Sequence, residues 1–325
     1  MTKPEQKNAY QKFQLERGDV QKIADRLNLG TISETSRFEL GMINDVFAIG
    51  DDYVLKVNSA DPASPKLSKE AAIYKALPAY HIPVPKVYEV QEQPGLHGYP
   101  YILMERCKGD SLRETWSKLD AVQQRNCIQE LGRLLGAIHN LHQNEVNIGG
   151  EVTAEGFLVK ENIKLRIAKI ATELRTSEVL DHQTIKKLED FYVTNPAFDF
   201  TVAPSLLHGN FVFGNIITNE DRVEGIIDWE WATFGHSEEE LANVLYRGPG
   251  PSSVMGEMSG ELLEAFKKGY ASSHPIDPDF QKRYLAYALL YFLKVLPSVP
   301  KWTHKPEKQR EYIDAVALLM KQLEL

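Results

Sequence analysis

The most constraining feature of the chain is residues 206–247, which read LLHGNFVFGNIITNEDRVEGIIDWEWATFGHSEEELANVLYR. A short apolar run leads into a polar loop, 208–215, and a second apolar run, 216–218, leads into a turn at 219–222. A third run, 223–227, ends on Asp228. Apolar runs flanking a polar turn predict a hairpin whose two ends bring Asn215 and Asp228 together. A loop rich in His, Asn and Gly, followed by a carboxylate at a strand end, suits a magnesium–phosphate site. That metal takes one or two side-chain oxygens and completes its shell with phosphates and water.

The remainder of the 325 residues must supply whatever such a site works with, and the length allows two lobes. Residues 37–40, 45–49 and 53–57 read as short strands of an antiparallel meander, with turns at 41–44 and 50–52. Lys56 lies in the third strand between Leu55 and Val57, where a lysine must reach water or find an anion. Residues 65–77 have helical spacing, with Leu67, Ala71, Tyr74 and Leu77 on one face and Glu70 close enough to turn toward Lys56. Strands at 86–90 and 99–106 follow, and the strand-rich composition ends at the Lys108-Gly109-Asp110 linker. The expected lobes are therefore residues 1–108 and 109–325, the first β-rich and the second mainly helical.

The second part opens on Ser111-Leu112-Arg113-Glu114, a capping-box pattern. Residues 120–142 are the clearest helix, with Ile128, Leu131, Leu135 and Ile138 in step. His139 and His142 are read as packing or capping residues ahead of a metal pair. Further helices are expected at 155–193, 237–247, 258–270, 278–295 and 306–323. The apolar run 284–293 is shorter than the about 20 residues that a bilayer requires. Two cysteines, no apolar leader and a net charge of −8 point to a cytoplasmic chain with no nucleic-acid or membrane partner.

In order, the parts are a glycine-bearing β-turn, a strand lysine, a helix glutamate, and a His-Gly-Asn loop with Asn215 and Asp228. That order matches ATP-dependent phosphoryl transfer by a kinase-type fold. The stretch 208–228 resembles the aminoglycoside phosphotransferase (antibiotic-kinase-like) family, with its H-G-D-x-x-x-x-N loop and a strand ending I-D-W/F. Residues 235–242 are similar to that family's G-D-P-x-x-D-L-A, with His236, Ser237 and Glu240 as departures. Glu240-Leu241-Ala242-Asn243 is similar to the hygromycin phosphotransferase branch. The resemblance runs from about residue 38 to residue 246.

The resemblance implies an α+β, bilobal protein-kinase-like fold, with a small β-rich N-lobe and a larger, mainly helical C-lobe. It implies ATP or GTP with Mg²⁺, and a small-molecule acceptor. Lys56 would meet the nucleotide phosphates with Glu70 holding it, and the turn from Gly41 to Asn44 would cover them. Met104 would be the gatekeeper-like residue of a hinge strand in which Glu105 and Cys107 pair with adenine through their backbone. Asn215 and Asp228 would hold Mg²⁺, and His208 would brace the loop. Trp229 and Trp231 would be core or wall residues.

Asn210 departs from the family's aspartate and cannot accept the acceptor's proton, a contribution of typically about 10²–10⁴-fold. Three readings compete: an aspartate exchanged to trap a complex, a naturally impaired nucleotide binder, or a base supplied by another carboxylate. The acceptor implied is an aminoglycoside or aminocyclitol such as hygromycin, with Glu230, Glu238 and Glu239 lining a groove for a polycation. The alternatives are a small hydroxylated metabolite, or a pseudokinase that binds nucleotide for regulation.

Overall fold

The structure is a computed structural model that describes residues 13–32, 34–38, 44–64, 66–148, 156–247, 258, 260–302 and 306–325. After helix α1 (Arg17–Leu27) come strands β1 (Thr35–Arg37), β2 (Asp45–Ile49) and β3 (Tyr53–Val57), then helix α2 (Lys66–Ala76). Strands β4 (Val87–Leu96) and β5 (Tyr99–Glu105) complete an antiparallel sheet ordered β1-β2-β3-β5-β4. Strand β6 (Asp110–Ser111) leads to α3 (Leu112–Thr115) and α4 (Ala121–His139). Next come β7 (Phe157–Leu158), α5 (Val159–Ser177), α6 (His182–Thr194), β8 (Thr201–Val202) and β9 (Ser205–Leu207). The hairpin of β10 (Ile216–Asn219) and β11 (Arg222–Ile226) is followed by β12 (Thr233–Gly235) and α7 (Ser237–Arg247). The chain ends in α8 (Gly260–Ala271), α9 (Phe280–Val295), α10 (Val299–Trp302) and α11 (Pro306–Gln322).

The two-residue alternation of the strands decides what each face of the first sheet meets. Leu55 and Val57 of β3, with Tyr101 and Leu103 of β5, join Val20, Ile23 and Ala24 of α1 in one core. Ile102 and Met104 face the other way, into the core shared with α2 and the helical part. Lys56 pairs in register with Ile102 and shares that second face, so its side chain is aimed at α2. Strand β3 is central in the sheet, which removes the alternative of an edge lysine facing water.

Two local expectations differ from the structure. The first strand is Thr35–Arg37, ahead of the 37–40 run; Glu39, Leu40 and Gly41 lie outside the described residues. Ser111 does not close a capping box: its hydroxyl donates to the Glu114 carboxylate at 3.0 Å, and α3 is one turn long. The box forms instead at α4, where Asp120 accepts from the amides of Val122 and Gln123, and Gln123 accepts from the Asp120 amide. Among the described residues, no helix is long and apolar enough to cross a membrane.

Helices α4 and α8 approach along Gly132, Gly136 and Gly269. A Cβ on Gly269 would collide with the Gln129 carbonyl, and one on Gly132 with the Phe266 carbonyl. Backbone cannot yield there as a flexible side chain can. Gly269→Ala is therefore expected to lower the free energy of unfolding by about 1–3 kcal/mol, the usual cost of overpacking. Denaturant unfolding measures this, and an unchanged midpoint would contradict the close contact.

Candidate active site

Four side chains from three elements meet at the junction of sheet, α2 and the β10–β11 hairpin. Lys56 Nζ donates to Glu70 Oε2 at 2.8 Å and to Asp228 Oδ1 at 2.8 Å. Tyr74, one turn along α2 from Glu70, donates its hydroxyl proton to Glu70 Oε1 at 2.7 Å and accepts from the Asp228 amide at 3.0 Å. Burial opposes the Lys56 ammonium, but Glu70 and Asp228 outweigh it and hold the lysine charged, above its ordinary range. Burial also opposes the Asp228 carboxylate, and Lys56 reverses this, so Asp228 ionises below the usual aspartate value. Removing one partner of such a buried pair typically costs about 3–5 kcal/mol.

Asp228 follows β11 in a left-handed backbone conformation, φ 67° and ψ 58°. Aspartate tolerates this region better than most residues, and such conformations persist only where neighbours hold them. The neighbours are visible: the Ile227 amide donates to the Asn215 carbonyl at 2.9 Å, and the Ile227 carbonyl accepts from His208 Nε2 at 3.0 Å. Asn215 Nδ2 donates to the Asn210 carbonyl at 3.0 Å, which leaves the amide oxygen of Asn215 for another ligand. That oxygen and the Asp228 carboxylate, a third exposed, are hard donors of the kind magnesium takes. Among the described residues, no group of three or more His, Cys, Asp or Glu side chains could hold a metal unaided. Two protein donors with phosphate oxygens is the usual magnesium arrangement, so the residues present fit that ion.

The loop between β9 and β10 is tied down by one buried carboxylate. Glu240 of α7 accepts from the amides of His208 at 2.8 Å and Gly209 at 2.7 Å. His139 Nε2 supports the same carboxylate at 3.2 Å, and its Nδ1 lies 2.7 Å from the Tyr270 hydroxyl. His142 Nδ1 bonds the Pro204 carbonyl at 2.8 Å, so both histidines are packing and bracing groups. The Asn210 amide donates to His208 Nδ1 at 3.2 Å, which fixes His208 as the neutral Nε2–H tautomer. Its burial pushes the imidazole below its usual pKa and keeps it neutral. In the sequence Glu240 stands out as a departure from the family's motif. Its tether role had one signal, the place it shares with the family's aspartate.

The remaining expected site residues divide. Met104 is buried between Val54 and Val87, its register neighbours on β3 and β4. The exposed Glu105 donates its amide to the Lys86 carbonyl at 2.8 Å. Cys107 packs against the Cα of Gly225, and burial, with Glu105 and Glu224, pushes its thiol up to about 12. Asn44 lies beside the cleft, but its Nδ2 donates to Glu230 Oε2 at 2.9 Å. Glu230, expected to line an acceptor groove, is buried, bonded to Asn44 and near Lys56.

Glu238 and Glu239, expected beside Glu230 in that groove, are each held by an arginine. Arg283 of α9 grips Glu238 through Nε at 2.6 Å and Nη2 at 2.8 Å. Arg166 of α5 grips Glu239 at 2.5 and 2.6 Å, fastening the α5–α6 unit to α7. Trp229 is fully buried, donating to the Ile226 carbonyl at 3.0 Å. Trp231 is 48% exposed, beneath the Lys66 ammonium at 4.4 Å and against Gly209.

Burial, with Arg283 for His236 and His139 for His274, holds both imidazoles down to about 4. Their unfolded value is near 6.5, so the unfolded chain binds more protons between the two values. Stability is therefore expected to be full above pH 6.5 and to fall as pH drops from there toward 4. Urea unfolding at a series of pH values checks this, and a flat profile over that window would contradict it.

A family model described as "Phosphotransferase enzyme family" matches residues 34–318. Hygromycin-B 4-O-kinase of Escherichia coli is 24% identical over 257 residues, covering 77% of this chain and 70% of that protein. Acyl-CoA dehydrogenase family member 11 of Rattus norvegicus is 24% identical over 277 residues, covering 79% of this chain. The match takes in 34% of that longer protein, so the chain corresponds to about a third of its length. Among solved structures, the streptomycin–ATP–APH(2")-IIa ternary complex superposes with a TM-score of 0.67 at 16% identity. The superposition covers 95% of this chain and 97% of that one. The shared architecture is the bilobal, protein-kinase-like α+β fold.

Proposed function

We propose that this chain, which belongs to the phosphotransferase enzyme family, transfers the γ-phosphoryl group of ATP or GTP to a hydroxyl of a small molecule. The observation that carries this reading is the chain of contacts Glu70–Lys56–Asp228, with Asn215 bonded to the residue before the aspartate. Residues 1–108 would hold the nucleotide, and residues 109–325 would supply the catalytic loop and the acceptor site.

In this mechanism Lys56 leaves Asp228 for the nucleotide phosphates, and Glu70 keeps it charged and aimed. Asp228 and the amide oxygen of Asn215 would hold Mg²⁺, which offsets charge on the β- and γ-phosphates when bound. Glu240, through the His208 and Gly209 amides, keeps the loop rigid beneath the acceptor. The acceptor oxygen bonds to the γ-phosphorus as the bond to the β-phosphate oxygen breaks, and the nucleoside diphosphate leaves. Asn210 can orient the hydroxyl by a hydrogen bond; the proton goes to solvent or to the transferred phosphate, because a neutral amide does not take it. Positioning and electrostatics carry much of such a reaction, so residual turnover is compatible with Asn210.

An aminoglycoside or aminocyclitol such as hygromycin is the first acceptor class, supported by the likeness to the hygromycin kinase. A hydroxylated metabolite without several positive charges is a second reading. It is favoured by the arginines that already occupy Glu238 and Glu239.

Asn210→Asp is expected to raise nucleotide consumption by about 10²–10⁴-fold over the parent with at least one acceptor. The panel pairs aminoglycosides with uncharged polyols, which separates the two acceptor readings. Background consumption by both proteins across the panel would overturn phosphotransfer and favour a nucleotide-binding scaffold. Asp228→Asn keeps a residue suited to the left-handed backbone while removing the charge. It is expected to abolish magnesium-dependent nucleotide binding, measured by calorimetry; unchanged binding would remove Asp228 as a metal ligand.

A further inference from the structure

The hydroxyl of Tyr74 is not accounted for by packing. Its ring belongs to the apolar face of α2 and is buried with Leu67 and Ala71. A buried phenol needs partners for its oxygen, and Tyr74 has one on each side. Its single proton goes to Glu70 Oε1, so a lone pair is what meets the Asp228 amide. The contacts close a ring: Lys56 to Glu70, Glu70 to Tyr74, Tyr74 to the Asp228 main chain, and the Asp228 carboxylate back to Lys56.

The two arms of this ring respond differently to a nucleotide. The Lys56–Asp228 arm is an ion pair, and phosphates compete for the ammonium. The Tyr74 arm is not open to that competition, because its proton is already committed to Glu70. Asp228 sits in a left-handed conformation that must be held from outside. Helix α2 is fastened to the same segment by Lys69, which donates to the Ala232 carbonyl at 2.8 Å, and by Lys66 over the Trp231 ring. Burial and Glu70 keep the phenol protonated well beyond its ordinary range.

We propose that Tyr74 is a positioning residue for magnesium: its hydroxyl, oriented by Glu70, fixes the Asp228 main chain so that the carboxylate keeps its aim when Lys56 turns to the nucleotide. This rests on the phosphotransferase reading above. It extends the role of α2 from holding the lysine to holding the metal ligand.

Tyr74→Phe removes one oxygen and leaves the ring. Fluorescent adenine and guanine nucleotides are each titrated into the full chain at a series of magnesium concentrations. The magnesium concentration for half-maximal binding is expected to rise about tenfold, while nucleotide affinity at saturating magnesium stays within about threefold, the pattern of a lost partner to a metal ligand. An unchanged magnesium midpoint overturns the proposal. So does a parallel loss of both with a lower melting temperature, which is what a purely structural residue produces.

Should the variant not fold, hydrogen exchange at the Asp228 amide of the unaltered protein decides the matter. Protection that persists in the magnesium–nucleotide complex is expected, and rapid exchange in that complex overturns the proposal. A parent protein that binds no nucleotide at any magnesium concentration overturns the phosphotransferase reading and this inference with it. Magnesium-dependent binding by the parent, matched by the variant, overturns this inference alone.

Discussion

A charged ammonium inside a protein must be met by anions, and at Lys56 the anions come from distant parts of the chain. Glu70 arrives on α2 and Asp228 at the end of β11, 172 residues away. The first contact requires α2 to pack on the sheet, and the second requires the β10–β11 hairpin as well. The pair is weak evidence for stability, because desolvation offsets much of the attraction. Its value is geometric: one nitrogen defines where sheet, helix and hairpin converge, and the other site groups are placed relative to it.

A second organising device is the run of three glutamates that opens α7. Successive residues on a helix point about 100° apart, so adjacent carboxylates reach different neighbours. Glu238 goes to α9, Glu239 to α5, and Glu240 inward to the loop at His208. One turn of helix thereby joins the α5–α6 unit, the C-terminal helices and the loop that follows β9. Of the three, the inward-facing Glu240 meets two backbone amides and the others meet guanidinium groups, so their roles diverge despite identical chemistry.

This explains which parts of the molecule could be read from residues alone. The strand meander, the approach of Glu70 to Lys56 and the hairpin between Asn215 and Asp228 depend on short-range alternation and turn chemistry, which a sequence displays directly. The partners of Glu238 and Glu239 lie 45 and 73 residues away, and local pattern carries no record of them. Glu230 shows the same limit: its position near a cleft was legible, but its turn toward Asn44 depends on how two distant loops meet. Tyr74 was hidden differently, since helical periodicity counts a tyrosine as an apolar residue and is silent about its oxygen.

Glu230 also sets the electrical character of the cleft. Its charge reaches both Lys56 and Asp228, so three carboxylates, with Glu70, surround one ammonium. A polyanion entering alone would meet these carboxylates, offset in part by Lys66, whereas the same polyanion carrying a divalent cation brings its own counterion. On the phosphotransferase reading proposed above, such a cleft would favour metal-bound over bare phosphates at long range, before any coordination bond forms. An amide at position 210 bears on the same balance. On the same reading, it would withhold one further negative charge from the phosphate path even as it removes a proton acceptor.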